Sequence, residues 1–170
     1  MIIAIDGPAG SGKSTTAKLV AQRLGIIHLD TGAMYRAITL KALREKIPAS
    51  DTAALGALVR RTTLSFSGIP PEMKVWMDGE DVSMAIRNDE VTKNVSDYCV
   101  PKAVREALVE QQRAMGRAGS AVCEGRDIGT VVFPNAELKF FMVCSVTERA
   151  RRRQKDFDCL LYTSPSPRDS

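Results

Sequence analysis

Gly7-Pro8-Ala9-Gly10-Ser11-Gly12-Lys13-Ser14, with Thr15 next, follows the apolar run Ile2-Ile3-Ala4-Ile5 and opens an apolar-periodic stretch. A strand, a glycine loop and a helix in that order make a phosphate cradle. Glycine lets the backbone take positive φ and approach a ligand closely, so that successive N–H groups converge on phosphate oxygens at the positive end of a helix. Lys13 then reaches the β and γ phosphates of a nucleoside triphosphate. The Ser14 hydroxyl is placed to ligate the Mg²⁺ that neutralises them. The plain alternative is a glycine turn carrying a surface lysine, and the flanking strand and helix argue against it.

A cradle alone does not separate hydrolysis, transfer and switching, so the other charged motifs matter. In His28-Leu29-Asp30-Thr31-Gly32-Ala33-Met34-Tyr35-Arg36, the arginine follows a short apolar run, where a guanidinium can form a bidentate pair with a phosphate or salt-bridge a surface carboxylate. Glu124-Gly125-Arg126-Asp127-Ile128-Gly129-Thr130-Val131-Val132-Phe133-Pro134 again sets an arginine and a carboxylate just past a strand. Both segments lie at the carboxyl end of their strands, the edge of an open α/β sheet where ligands bind.

The elements that position these motifs are legible from periodicity. A first helix runs from about Lys13 to Leu24, presents Ala17, Val20, Ala21 and Leu24 on one face, and stops at Gly25. Ile26 to Leu29 is a second buried strand, followed by a helix carrying Met34, Ile38 and Leu43 that ends before Pro48. From Thr62 to about Arg87 the period changes to two. Leu64 and Phe66 share one face, Val75 and Met77 share another, Pro70-Pro71 separates the runs, and Asp78-Gly79 is a hairpin turn. This predicts a small antiparallel insert standing off the main sheet, packed by Trp76. Helix returns at about Asn88, and Val104, Leu108, Gln111 and Met115 mark a long helix after Pro101. Ser120 to Cys123 and Leu138 to Val143 are two further strands. Four strands alternating with helices predict a parallel sheet with right-handed crossovers and helices on both faces.

Composition narrows the class. The 170 residues are 44% hydrophobic and 26% charged, which reads as one soluble unit able to bury a core. No apolar run is long enough for a membrane span and no secretory leader opens the chain, so a cytoplasmic enzyme is expected. Cys99, Cys123, Cys144 and Cys159 form no C-x-x-C pair, which points to reduced thiols and away from zinc or disulfides. The net charge of +4 owes much to Arg149, Arg151, Arg152, Arg153 and Lys155. No aromatic residue interleaves that run, so a solvated helix face or a small anion is favoured over nucleic acid. The single histidine, His28, flanks a buried strand and is expected to be structural. No apolar strand is seen to end in the lone aspartate of a second magnesium motif.

Taken together, the cradle and the stretches from Asp30 to Arg36 and Gly125 to Pro134 resemble the bacterial cytidylate kinases, P-loop nucleoside monophosphate kinases, over about Met1 to Lys155. The resemblance implies a P-loop NTPase-type α/β fold, with the 62–87 insert in the monophosphate-binding region. It also implies transfer of the ATP γ-phosphoryl group to CMP or dCMP, with Mg²⁺. Gly7 to Thr15 would hold ATP, Arg36 and Arg126 would clamp the acceptor phosphate, and Lys13 would act with them in catalysis. Ser96, Arg105 and Asp127 match positions that read cytosine, and Thr31 lies beside the substrate. A carboxylate accepts from the cytosine N4 amino group, where uracil offers a carbonyl oxygen. Arg149, Arg152 and Arg153 match an arginine-rich helix entering the family's lid.

Residues 156–170 break this pattern, with Pro165 and Pro167 in a turn-rich run. The expectation is a kinase core over 1–155 and a non-native or disordered tail, C-terminally truncated and monomeric. Two rivals stand beside it: a nucleotide-binding fragment without turnover, and a P-loop kinase for another small acceptor.

Overall fold

The computed structural model describes residues 1–68, 70, 72–152 and 154. The apolar run at the amino end forms β1 (Ile2–Asp6), and the cradle leads into α1 (Lys13–Leu24). Gly25 ends that helix at φ 63, where its amide reaches the carbonyls of Ala21 and Gln22. There follow β2 (Ile27–Asp30), α2 (Thr31–Arg44), α3 (Thr52–Arg60), β3 (Leu64–Ser67), β4 (Lys74–Met77), β5 (Glu80–Asp81), α4 (Asp89–Tyr98), α5 (Lys102–Arg117), β6 (Ala121–Gly125) and β7 (Leu138–Phe141). A π-helical turn, Ile128–Val132, links β6 towards β7, and residues 146–152 are helical.

The main sheet is parallel, in the order β2-β6-β1-β7. Its central strands are buried on both faces, as parallel strands covered by helices must be. On one face Ile3, Ile5 and Val122 pack against Ala17 and Ala21 of α1. On the other, Ala4, Leu29, Ala121 and Cys123 join a larger core with Met34 and Ile38 of α2, Leu55 and Leu58 of α3, and Leu108 of α5. Edge strand β7 is exposed along its length, Phe140 and Phe141 included.

The antiparallel insert is present, and the Asp78-Gly79 turn has both residues at positive φ, 51 and 84, which suits a type I′ hairpin. Register pairs Leu64 with Met77 and Phe66 with Val75, so all four side chains share one face. That face does not stand off the sheet. Leu64, Val75, Met77, Val82 and Ile86 belong to the large core. Trp76 points the other way, donating from Nε1 to Ser67 Oγ at 2.7 Å under the Lys74 ammonium.

Three further details depart from the sequence expectation. α3 was not foreseen, although Asp51 caps it by accepting from Ala54 N and Leu55, Leu58 and Val59 give it a buried stripe. Leu24 and Ile27 are half exposed rather than in the core, since α1 and β2 reach solvent there. β6 extends through Glu124 and Gly125, and β7 stops at Phe141. The expectations for Arg153, Lys155 and 156–170 lie outside the described residues.

Helix α5 rests on the π-turn segment through Gly116. A Cβ there would lie 2.4 Å from the Phe133 ring. Alanine gains about 1 kcal/mol of helix propensity, but overpacking at that distance costs about 1–3 kcal/mol. Gly116→Ala should therefore destabilise the protein, seen as a lower urea midpoint at an unchanged slope.

Candidate active site

The loop between β1 and α1 has the backbone that its glycines permit, with Gly10 at φ 75 and Gly12 at φ 91. No side chain caps α1 at Gly12. The first N–H groups of the helix therefore remain available to an external acceptor. Lys13 Nζ folds over the loop and donates to the Pro8 carbonyl at 3.3 Å. Burial lowers the Lys13 pKa, Glu124 pulls it back up, and the positive charge of Arg126 pushes it down again. Arg126 is exposed and makes no hydrogen bond or ion pair among the described residues. Two neighbouring cations, one of them without an ion-pair partner, favour the binding of an anion. Beside them a cavity of about 340 Å³ is lined by Gly7, Pro8, Arg126, Phe141, Val143 and Cys144. Across the loop, Arg152 donates from Nη1 to the Gly10 carbonyl at 3.2 Å and from Nε to Glu148 Oε1 at 2.8 Å.

Beneath the loop the sheet register gathers carboxylates. Asp30 of β2 lies directly opposite Glu124 of β6. Burial, and then repulsion from Glu124, raise the Asp30 pKa, against the hydrogen bond its Oδ1 accepts from Ala33 N at 3.0 Å. Burial also pushes Glu124 up, yet hydrogen bonding from His28 and Ser14 outweighs it and holds that carboxyl below the usual range. His28 Nε2 and Glu124 Oε1 are 3.0 Å apart, while Glu124 Oε2 is buried with no partner of its own in hydrogen-bonding geometry. An uncompensated buried carboxylate oxygen near a serine hydroxyl is a donor set suited to a hard divalent cation, and Mg²⁺ fits these residues. Asp6, at the end of β1, spends both oxygens on the amides of Ile128 and Gly129, each at 2.8 Å.

The remaining predicted residues fall into two groups at the same sheet edge. Thr31, the first residue of α2, is buried and donates from Oγ1 to the Glu124 carbonyl at 2.7 Å. Arg36 Nη1 donates to the Ile86 carbonyl at 3.2 Å and to Thr92 Oγ1 at 2.9 Å, so the insert and α4 both hold it. Ser96 follows Thr92 by one turn of α4 and is exposed. Arg105 Nη2 lies 2.9 Å from Asp127 Oδ2, with side-chain exposures of 53% and 32%. An ion pair that open contributes about 0–1 kcal/mol, so a ligand can separate it at little cost. Tyr35 lies alongside, its hydroxyl pKa raised by burial and then by the Asp127 charge.

Sequence reasoning overlooked Asp6 and Glu124, and left His28 without a partner. The expectation that no apolar strand ends in a lone aspartate is overturned, since β1 ends at Asp6 and β2 at Asp30; the signal was an acidic residue closing an apolar run, in Ile5-Asp6 and Cys123-Glu124. A larger cavity of about 680 Å³, bordered by Met1, Ile2, Ser120 and Arg117, lies at the opposite end of β1 and β6, remote from these groups.

The cytidylate kinase family model matches residues 3–164. The chain belongs to the cytidylate kinase family. A cytidylate kinase of Desulforamulus reducens is 54% identical over 154 residues, which cover 91% of this chain and 69% of the relative. One from Citrifermentans bemidjiense is 51% identical over 153 residues, covering 90% and 66%. A bifunctional pantoate ligase/cytidylate kinase of Parasynechococcus marenigrum is 51% identical over 158 residues, 92% of this chain and 32% of the relative. The chain thus spans about a third of the bifunctional relatives and about two thirds of the others. Among the described residues no helix is long and apolar enough to cross a membrane.

Two thiols report on the integrity of this family core. Burial pushes both Cys99, which sits near Arg36 and Arg105, and Cys123 in β6 up to about 12. The thiolate is the reactive form. Peptide mass spectrometry after iodoacetamide treatment of the native protein near pH 8 should find both unmodified, and urea should expose them to alkylation.

Proposed function

We propose that the chain is an ATP-dependent kinase for CMP or dCMP, with Gly7 to Thr15 holding ATP and the Arg105–Asp127 pair reading the acceptor base. The observation that carries this reading is that pair. It stands at the same carboxyl edge as the phosphate loop, weakly joined, with a carboxylate able to accept from the cytosine N4 amino group. Family membership and the uncapped start of α1 support the same reading.

Phosphoryl transfer needs positioning and charge stabilisation more than covalent help. Lys13 moves from the Pro8 carbonyl to the β and γ phosphates, and the α1 amides hold the polyphosphate. Arg126, whose charge acts on Lys13, and Arg36, held by Ile86 and Thr92, grip the acceptor phosphate. Ser96 and Arg105 bind cytosine with Asp127, while Thr31, bonded to the Glu124 carbonyl, lies beside the substrate. Ser14 and Glu124 would hold Mg²⁺. When bound, that ion neutralises charge developing on the phosphates. The acceptor is already a phosphate anion, so no general base is required. Residues 1–155 form the kinase core in this reading, including the insert at 62–87, and 156–170 lie outside it. A monomer working in the cytoplasm, with no nucleic-acid or membrane partner, fits the modest charge.

Two substitutions test it. Asp127→Asn replaces one acceptor oxygen with a donor and should cut the CMP-to-UMP ratio of kcat/KM at least about tenfold. An unchanged ratio would remove the cytosine assignment. Lys13→Ala should lower kcat about 10²–10³-fold in a coupled ADP-release assay, the scale of losing one group aimed at developing charge.

A further inference from the structure

His28 is the only histidine in the sequence, and phosphoryl transfer as described makes no direct use of it. It sits on the sheet face covered by α1, paired in register with Val122, whose side chain packs with Ala17 and Ala21. The ring and the Glu124 carboxylate are 1% and 2% exposed. A carboxylate only accepts, so Nε2 carries the proton and donates to Oε1 across 3.0 Å. Nδ1 is buried without a partner. An imidazole is a costly way to fill space on an apolar sheet face, because its second nitrogen forfeits its hydration there. The hydrogen bond to Glu124 is what the ring achieves at that position.

Glu124 needs such a restraint. Asp30, directly opposite, repels it, and Lys13 attracts it more strongly than any other carboxylate attracts that ammonium. A carboxylate free to turn would move towards Lys13 and draw the ammonium off the phosphates. With Oε1 tied down, Oε2 keeps its lone pairs unspent, while the Ser14 hydroxyl lies near enough to stabilise the same carboxylate.

We propose that His28 is a positioning residue for the metal: its hydrogen bond to Glu124 Oε1 keeps Oε2 available, with Ser14, for Mg²⁺. The inference rests on the kinase reading above. Groups that orient a metal-binding side chain commonly change metal affinity ten- to a hundredfold when removed.

Calorimetric titration of Mg²⁺ into the full chain saturated with ADP measures that affinity without turnover, and ADP titrated in the absence of metal is the control. His28→Leu should weaken Mg²⁺ binding about ten- to a hundredfold while leaving metal-free ADP affinity unchanged. His28→Gln, whose amide offers a donor again, should recover most of the loss. In a Glu124→Gln background His28→Leu should cost nothing further, since the restraint acts through that carboxylate. This pair also decides the matter if the single leucine variant does not fold, because the double variant strands no buried charge. Wild-type Mg²⁺ affinity in His28→Leu, a glutamine variant as weak as the leucine one, or an undiminished loss in the Glu124→Gln background would overturn the proposal. A wild-type chain that takes up ADP but no Mg²⁺ would overturn it as well. A wild-type chain that takes up neither nucleotide nor metal would instead bring down the kinase reading itself.

Discussion

Three carboxylates, Asp6, Asp30 and Glu124, are brought to the carboxyl edge of one parallel sheet by the pairing of β2, β6 and β1, and the site is organised around compensating them. Unpaired buried charge is among the most expensive things a fold can contain. Each carboxylate therefore has its own device. Asp6 takes two backbone amides, Asp30 caps a helix, and Glu124 leans on an imidazole. Glu124 alone of the three keeps a buried oxygen, Oε2, without a hydrogen-bond partner among the described residues. The negative field that remains also sustains the Lys13 ammonium against its own burial. The Lys13 ammonium and the carboxylates form a layered charge distribution that, in the kinase reading, a polyphosphate with its metal would complete.

Much of this was legible in the sequence, and for identifiable reasons. The glycine loop constrains backbone dihedrals directly, so Gly7 to Ser14 announces its geometry without any tertiary information. Gly25, Asp78-Gly79 and Pro101 mark ends and turns by the same local logic. α3 was missed because its buried stripe of Leu55, Leu58 and Val59 is short and interrupted by Gly56, which lowers helix propensity just where the period would show.

The rest depended on long-range packing that periodicity does not encode. Alternation in the insert tells which residues share a face, but not that this face joins the same core as α2 and α5. Acidic residues such as Asp6 and Glu124 read as the start of a loop because their burial follows from neighbours more than a hundred residues away, Ile128 and Gly129 in one case and His28 at nearly that separation in the other. A side chain's environment is a property of the fold, and its type alone cannot supply it.

The grip of Asp6 on the π-turn sets a length scale for the whole molecule. One end of that carboxylate's strand carries the glycine loop, and the amides it holds begin immediately after Asp127. The glycine loop and the segment after Asp127 are thereby tied to one strand. In the kinase reading proposed above, one strand would thus fix the spacing of the two segments between which a phosphoryl group is passed, where small errors of approach are costly.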